Sequence, residues 1–441
     1  MRDLLLLVAL CATIPLILRA PIVGVLVWMW LSLMCPHQEV AGFLHGAQLN
    51  VWFTVLTAIA WAGSKEPKTP PANAFIAFLV LFAAWTCVST YFALDRSDAL
   101  PSLDRNLKTV ILALAVAMLA NSRARLQAVI WVIVISIGYY GAKGGGFTLL
   151  TGSQSHVFGP AASMIQDNNA LGLALVVLLP LMVYLRLTSK YAIVRWALLG
   201  LMFLTLAAIL GTYSRGALIA LGASAAIFAL RSRYGLVLLA AGAIGAAALP
   251  SVMPHQWLER MHTIKAADQD ASFEDRVAAW RSSFNIAMDR PLVGGGFSAV
   301  ESTEIVQAHK TPGSLDHGRA AHSVYFQVLG DNGFVGLALY LTMVGAAVLN
   351  TFRVLALVRG RSDLKWAGQL ARMLQVSLVA FLAGGAALSM AYYDGFMVMF
   401  AVTAALLQTV RRPVEAADEP ASFGPRWRRV AAVSAPARAA H

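Results

Sequence analysis

Thirteen apolar segments close to membrane-spanning length follow one another along this chain, and they constrain its fold more than any other feature. Hydrophobic residues make up 59% of the 441 residues and charged residues only 13%. That is more apolar surface than a soluble core could bury, so we predict an all-α polytopic membrane protein with about 12 transmembrane helices. The segments fall near residues 3–18, 21–35, 47–62, 73–93, 106–121, 126–141, 169–187, 193–212, 216–230, 235–249, 324–350, 368–390 and 396–410.

The basic residues between these segments predict the orientation of the chain. They concentrate in alternate connections and after residue 411, which the positive-inside rule assigns to the cytoplasm. We therefore expect a single transmembrane domain over residues 1–410, a long outer loop over 250–321 and a disordered basic cytoplasmic tail over 411–441. Because the first two apolar segments are short, the sequence leaves open whether both cross.

Charge and cysteine content exclude other classes of protein. The formal net charge of +12 would suggest nucleic acid for a soluble protein, but here it follows the membrane topology, so we expect no nucleic-acid partner. The three cysteines lie in apolar segments without CxxC spacing, which indicates neither a disulfide framework nor a zinc site. Histidines of the long loop do not match HExxH or another metal pattern, so we expect no metal and no cofactor.

The long loop contains the pattern of an amphipathic helix. Its apolar stripe is suited to rest either on the membrane surface or on other helices. Arg276 and Arg281 flank the stripe, where they are available for an anion or for pairing with neighbouring carboxylates and lipid phosphate. A glycine turn with Gly294 and Gly296 follows, although it lacks the strand and lysine of a P-loop. The stripe comprises Phe273, Val277, Trp280, Phe284 and Met288.

Three other polar residues stand at the predicted outer face. Arg215 lies in a turn between two apolar segments, where a guanidinium is costly unless it binds an anion or reaches the headgroups. His322 precedes another apolar helix, and an imidazole with a pKa near 6.5 would serve as a general base or simply as an interfacial polar group. Lys143 is the one cation of a Gly- and Ser-rich connection over 142–168, which suits either phosphate and sugar binding or an ordinary turn.

Three motifs, in order, give the chain a family resemblance. They are TYSRGALIAL, then an R…W…P…G.G pattern, then HSVYFQVLGDNGFVG. Together they resemble the bacterial O-antigen ligase and polymerase family over residues 160–345. The earlier stretches YYGAKGGGF and FGPAASMIQDNN resemble exosortase-associated O-glycosylation ligases.

The resemblance implies a GT-C-like glycosyltransferase of the bacterial inner membrane with its active site facing the periplasm. Such an enzyme transfers a glycan from undecaprenyl pyrophosphate to the lipid A core oligosaccharide, inverting the anomeric centre without a metal ion. Carried onto this chain, Arg215 and Arg276 bind the pyrophosphate and His322 activates the acceptor hydroxyl. We expect membrane lipids as further partners. The remaining predicted substrate-binding residues are Lys143, Tyr213, Ser214, Arg281, Gly294, Gly296 and Tyr325.

Alternative functions remain open at the level of sequence. A Wzy-type O-antigen polymerase and a protein O-oligosaccharyltransferase would share the donor but not the acceptor. A polyprenyl-linked glycan transporter belongs to a different class and usually has two repeat-related halves with charges near the midplane. Here the polar residues gather at one face and in one large loop, which favours an enzyme.

Overall fold

The computed structural model describes residues 1–230 and 271–411, with isolated positions between 231 and 270. Over these residues the chain forms α-helices, short 3₁₀ turns and connections but no strand, so the predicted all-α class is confirmed. The first nine helices are α1 (Arg2–Arg19), α2 (Pro21–Met34), α3 (Leu49–Gly63), α4 (Ala74–Tyr91), α5 (Arg96–Leu119), α6 (Arg123–Thr151), α7 (Asn168–Thr188), α8 (Ala192–Gly211) and α9 (Arg215–Leu230). The later helices are α10 (Ala271–Asp289), α11 (Thr303–Ala308), α12 (Val324–Leu357), α13 (Lys365–Gly385) and α14 (Asp394–Arg411).

Seven of the described helices are long and apolar enough to cross a membrane, namely α4, α6, α7, α8, α12, α13 and α14. Helices α2, α3 and α9 are apolar but shorter. The chain is therefore a multi-pass membrane protein, although the predicted total of about 12 spans is not reached by these seven alone. The predicted apolar segment at 235–249 and the tail after Arg411 fall largely or wholly outside the described residues.

Polar side chains define where several helices begin. Asn73, Asp95, Ser122 and Asp167 each accept a hydrogen bond from backbone N–H groups in the first turn of the helix that follows. Such N-caps satisfy donors that have no partner inside the helix. Because Asp95 begins α5, this helix starts ten residues before the predicted apolar segment at 106–121.

Helices α1, α2 and α3 form a unit at the edge of the bundle with a hydrophobic core of their own. Helix α2 joins the unit to the rest of the bundle by packing on α6. The Asp3 carboxylate accepts a hydrogen bond of 3.2 Å from the backbone N–H of Leu44, in the connection between α2 and α3. The start of α1 therefore lies beside the end of α2, and both helices extend between the same two ends of the bundle.

The connections collect at the two ends of the bundle. At one end the Leu94 N–H donates to Gly295, and the Val157 N–H donates to Gly211, each at 2.9 Å. At the other end Arg125 forms a bidentate ion pair with Glu66, and the shorter of its two N···O distances is 2.6 Å. The first end is the one that the charge pattern predicts to face the periplasm, and that orientation stays a prediction.

Helix α12 is broken at Gly333, where φ is 68° and ψ is −171°. A Cβ at this position would lie 2.5 Å from the carbonyl oxygen of Leu292, so both the backbone and the space require glycine. The break divides α12 into a first segment over 324–332 and a second segment over 334–357.

The glycine turn at 294–296 packs against this break. The N–H groups of Gly295 and Gly296 donate to the carbonyls of Gly330 and Asp331 at 2.8 and 2.9 Å. From the other side, the Trp85 indole in α4 donates to the carbonyl of Asn332 at 3.1 Å. The first segment of α12 is therefore held by hydrogen bonds at the end next to the break, opposite the end that follows His322.

Candidate active site

His322 lies in a tight turn immediately before α12, and its φ of 47° is in the left-handed region that non-glycine residues seldom adopt. Helix α10 holds this turn. The Trp280 indole donates to the carbonyl of Ala321 at 2.9 Å, and its ring stacks on Phe326 with 5.3 Å between centroids and 5° between planes. A hydrogen bond before His322 and a ring contact after it thus fix the backbone that carries the imidazole.

Burial and charged neighbours together determine the protonation of His322. Burial lowers the pKa of this imidazole below its ordinary 6.5, and the nearby cations Arg276 and Arg319 lower it further. The carboxylate of Asp167 acts in the opposite direction and is the smallest of the four influences. Since positive neighbours disfavour the imidazolium, His322 is neutral at neutral pH and is able to accept a proton.

Arg319 is a cation near His322 that the sequence analysis missed. It forms an ion pair with Asp275, the residue immediately before Arg276 on α10, and its backbone N–H donates to Val300 at 2.9 Å. Its position three residues before His322 could have indicated that it lies near the imidazole. The residue that fixes its side chain, Asp275, lies more than forty positions earlier in the sequence.

The turn that precedes Arg215 is linked to the His322 region through the start of α7. The Asn168 side-chain amide donates to the carbonyl of Thr212 at 2.6 Å, directly before Tyr213 in that turn. The adjacent residue, Asp167, is the carboxylate that acts electrostatically on His322. Residues 167 and 168 therefore connect the Arg215 turn with the imidazole.

A second contact region brings the beginnings of α9 and α12 together. A Cβ at Gly216 would lie 3.5 Å from that of Ala387, and one at Gly385 would lie 3.1 Å from the side chain of Val324. The connection after α13 is thus bordered by residues next to Arg215 and next to His322. Elements that are distant in the sequence converge at one end of the bundle.

Tyr213 and Ser214, both predicted to bind substrate, are buried in the turn itself. The Tyr213 hydroxyl donates to the carbonyl of Ser153, and its ring meets His156 edge to face at 4.5 Å. The Ser214 hydroxyl accepts a hydrogen bond from the Ala217 N–H at 3.2 Å and so caps the start of α9. These contacts shape the turn that presents Arg215.

The predicted environment of Lys143 is wrong. Helix α6 continues to Thr151, so the connection begins at residue 152 rather than 142, and Lys143 lies within a helix. Its ammonium pairs with Glu39 at 2.9 Å and lies 5.9 Å from the centre of the Tyr139 ring. The glycines at 144–146 suggested a loop, but two of them are buried against neighbouring elements within the helix.

Arg281 and the two glycines are also engaged away from the His322 turn. Arg281 is exposed, and its guanidinium lies 3.5 Å from the carbonyl oxygen of Pro312. Gly294 and Gly296, with φ of 65° and 92°, belong to the turn that packs on the α12 break. All three N–H groups of this turn donate to backbone carbonyls, and the substrate-binding role of Gly294 and Gly296 stays a prediction.

Tyr325 connects two helices near the site. Its hydroxyl donates to the carbonyl of Leu382 in α13 at 2.9 Å. Gln327, one half-turn further along α12, accepts a hydrogen bond from the Ala391 N–H at 3.1 Å. Together these contacts hold the first segment of α12 against the connection between α13 and α14.

No group of three His, Cys, Asp or Glu side chains close enough to hold a metal ion occurs within the described ranges 1–230 and 271–411. The functional groups gathered around His322 are guanidiniums and one carboxylate. This set of groups is suited to binding an anion and transferring a proton.

Comparison with known families matches residues 200–341 to the family described as O-antigen ligase. The match assigns this part of the chain to the O-antigen ligase family. The resemblance that we inferred from the three motifs is thereby confirmed. The O-antigen ligase region contains Arg215, Arg276, Arg319 and His322.

Residues 1–191 match a separate family of unknown function, DUF5935. A search of curated proteins found no match. Asp167 and Asn168 belong to the DUF5935 region and yet approach the His322 turn and the Arg215 turn of the O-antigen ligase region. The two matched regions therefore meet at the candidate site.

Proposed function

We propose that the protein is an O-antigen ligase that transfers polysaccharide from undecaprenyl pyrophosphate to the lipid A core oligosaccharide at the periplasmic face of the inner membrane. The observation that carries this proposal is the environment of His322, a half-buried imidazole with a pKa lowered by burial and by Arg276 and Arg319. A neutral base surrounded by cations suits a reaction in which an alcohol is deprotonated and a diphosphate departs.

In the proposed reaction, His322 accepts the proton of an acceptor sugar hydroxyl as its oxygen attacks the anomeric carbon of the donor. The bond between that carbon and the pyrophosphate oxygen breaks, and the electron pair leaves with undecaprenyl pyrophosphate. Attack opposite the leaving group inverts the anomeric centre. The imidazolium that forms is stabilised by the carboxylate of Asp167 and later loses its proton to water.

Arg215 and Arg276 bind the pyrophosphate in this proposal. Guanidiniums form paired, charge-assisted hydrogen bonds with phosphate oxygens and strengthen them as negative charge develops on the leaving group. Asn168 donates a hydrogen bond to the turn that precedes Arg215, and the neighbouring Asp167 acts electrostatically on His322. This connection supports a common binding cleft.

The decisive experiment measures ligation in membrane vesicles that contain His322→Ala, Arg215→Ala or Arg276→Ala at wild-type abundance. We expect each variant to lose most of the transfer of glycan to lipid A core. Lys310→Ala is the matched control, because this exposed lysine pairs with Asp316 in the same loop. Wild-type ligation by all three site variants would overturn the proposal.

Glycan analysis of a deletion strain separates the close alternatives. Long chains that remain on the lipid carrier would support a ligase, whereas single repeat units on the core would indicate a polymerase. Loss of glycan only from proteins would indicate a protein O-oligosaccharyltransferase. Metal independence is tested with the purified enzyme, where loss of activity in EDTA and recovery with a divalent ion would overturn it.

A further inference from the structure

Helix α10 and the turn after it present an apolar ridge that no described part of the protein covers. Phe284, Met288 and Leu292 follow one another at intervals of four residues and are 45%, 57% and 62% exposed. The opposite face of the helix is filled by Ala279 and Ile286, which are fully buried. An exposed apolar face of this kind marks an interaction surface rather than a solvated one.

The ridge is continuous with the surfaces of two helices that are candidate spans. The Phe284 ring meets Phe334, the first residue of the second segment of α12, edge to face at 6.3 Å. At the other end of the ridge, the Arg290 guanidinium donates to the carbonyl of Phe92, just after α4. Phe92 and the neighbouring Tyr91 are themselves more than half exposed.

Helix lengths place this patch at the boundary of a bilayer. Phe334 and Arg353 are 19 positions apart in α12 (353 minus 334), which is about 29 Å at 1.5 Å per residue. This matches a hydrocarbon core of about 30 Å. If Arg353 reaches the inner headgroups, as basic residues at helix ends do, then Phe334 and the adjoining ridge lie at the outer boundary.

Two arginines flank the patch at the same level. Arg96 lies over the Tyr91 ring with 4.7 Å between its guanidinium carbon and the ring centre, and Arg290 is bound beside Phe92. Aromatic rings combined with arginines are typical of the interface between hydrocarbon and headgroups, where the rings bury and the cations meet phosphate.

We propose that α10 is an interfacial helix whose ridge of Phe284, Met288 and Leu292 rests in the outer leaflet of the membrane, with Arg96 and Arg290 bound to lipid phosphates. The occupant of the ridge is the bilayer rather than a second copy of the chain. The inference depends on the membrane placement of the protein and does not require the proposed glycan transfer. It gives α10 two faces, one in lipid and one that carries Trp280 to the His322 turn.

Spin-label accessibility tests this placement in the full chain reconstituted into lipid nanodiscs. The exposed cysteines Cys11 and Cys87 are replaced by serine, whereas buried Cys35 remains. A nitroxide at Met288→Cys or Leu292→Cys should collide often with oxygen and rarely with a water-soluble nickel chelate. The matched controls Gln307→Cys and Lys310→Cys, exposed positions after the glycine turn, should show the reverse.

Three results would overturn the proposal. Nickel accessibility at positions 288 and 292 equal to that of the controls would show that water covers the ridge. Exclusion of both reagents, with crosslinking between Leu292→Cys copies, would show that a second chain covers it. A label depth that Arg96→Gln with Arg290→Gln leaves unchanged would contradict the phosphate contacts. Only variants whose size-exclusion profile matches that of the wild type are measured.

Discussion

Arg319 is one of the cations that lower the pKa of the proposed base, after burial and Arg276. It lowers the pKa of His322, so removing it should raise that pKa, and the Asp275 carboxylate released from its ion pair should act in the same direction. In Arg319→Gln we therefore expect the acid limb of the profile of kcat/KM against pH to move to higher pH. Activity at alkaline pH should be retained better than activity near pH 6.

The control for this profile is Lys310→Gln, which removes a loop cation that pairs with Asp316. Its acid limb should coincide with that of the wild type. A limb that stays in place in Arg319→Gln, or moves to lower pH, would contradict the electrostatic role of Arg319.

Trp280 should affect turnover more than substrate binding, because it holds the backbone on both sides of His322. Trp280→Phe removes the hydrogen bond to Ala321 but keeps a ring over Phe326. Loss of one such bond, worth about 1 kcal/mol, corresponds to a decrease of roughly 5-fold to 10-fold in kcat. Steady-state kinetics with a lipid-linked donor should show this decrease with little change in KM.

Trp280→Leu, which removes the ring as well, should lower kcat further at a similar folded yield. Wild-type kcat in Trp280→Phe would show that the hydrogen bond does not position the imidazole. The acid limb of kcat/KM against pH should stay at its wild-type position in Trp280→Phe. This result would distinguish a positional effect from the electrostatic effect of Arg319.

At the scale of residues, the sequence supplied candidate functional groups but not their surroundings. Residue type and motif order were enough to propose Arg215, Arg276 and His322. Arg319, Asp167 and the hydrogen bond from Trp280 were missed, because each acts through contacts across many chain positions. Lys143 was misplaced because a run of glycines resembles a loop, although in α6 it allows close packing against α8.

At the scale of elements, the break in α12 should be intolerant of a side chain at Gly333. Gly333→Ala places a Cβ 2.5 Å from the Leu292 carbonyl oxygen at a backbone conformation that costs non-glycine residues about 1–3 kcal/mol. We expect a lower apparent unfolding temperature and a lower yield of folded protein. Thermal challenge followed by size-exclusion chromatography measures both.

Gly345→Ala is a matched control in the same helix, because a Cβ there would meet nothing within 4 Å. Alanine also favours a helix over glycine, so this variant should be as stable as the wild type or slightly more stable. Equal stability of the Gly333 and Gly345 variants would show that the break is not required for the fold.

The run Asp331-Asn332-Gly333 is typical of a turn and marks this break in the sequence, and the apolar stripe predicted the helix now seen as α10. It did not predict that the glycine turn at 294–296 packs on the break. Turn residues indicate a local change of direction, whereas the partner of a turn is decided by tertiary contacts.

At the scale of the whole molecule, the contact between Asp3 and Leu44 leads us to expect that the first helix crosses the membrane completely. With the basic connections inside, the beginning of the chain should face the periplasm and the tail the cytoplasm. In a background of Cys11→Ser and Cys87→Ser, an impermeant maleimide should label Arg2→Cys on intact spheroplasts. Ala440→Cys should react only after permeabilisation, and the opposite pattern would contradict this topology.

The sequence predicted a membrane bundle with its polar motifs at one end. The apolar segments predicted the bundle, and the charges of the connections predicted which motifs share an end. It left the crossing of the first two segments open, because their length alone is ambiguous. The hydrogen bond from Leu44 to Asp3 supplies the missing constraint, since it brings together two residues that no local pattern connects.

The break at Gly333 also lies between the His322 turn and the part of α12 that we expect to span the lipid. The second segment of α12 joins the first only through the non-helical Gly333, whereas the first segment is hydrogen-bonded to the glycine turn and to α4. The height of His322 above the membrane should then be set by protein rather than by acyl-chain length. An enzyme built this way is expected to keep its turnover when the host remodels its fatty acids with temperature.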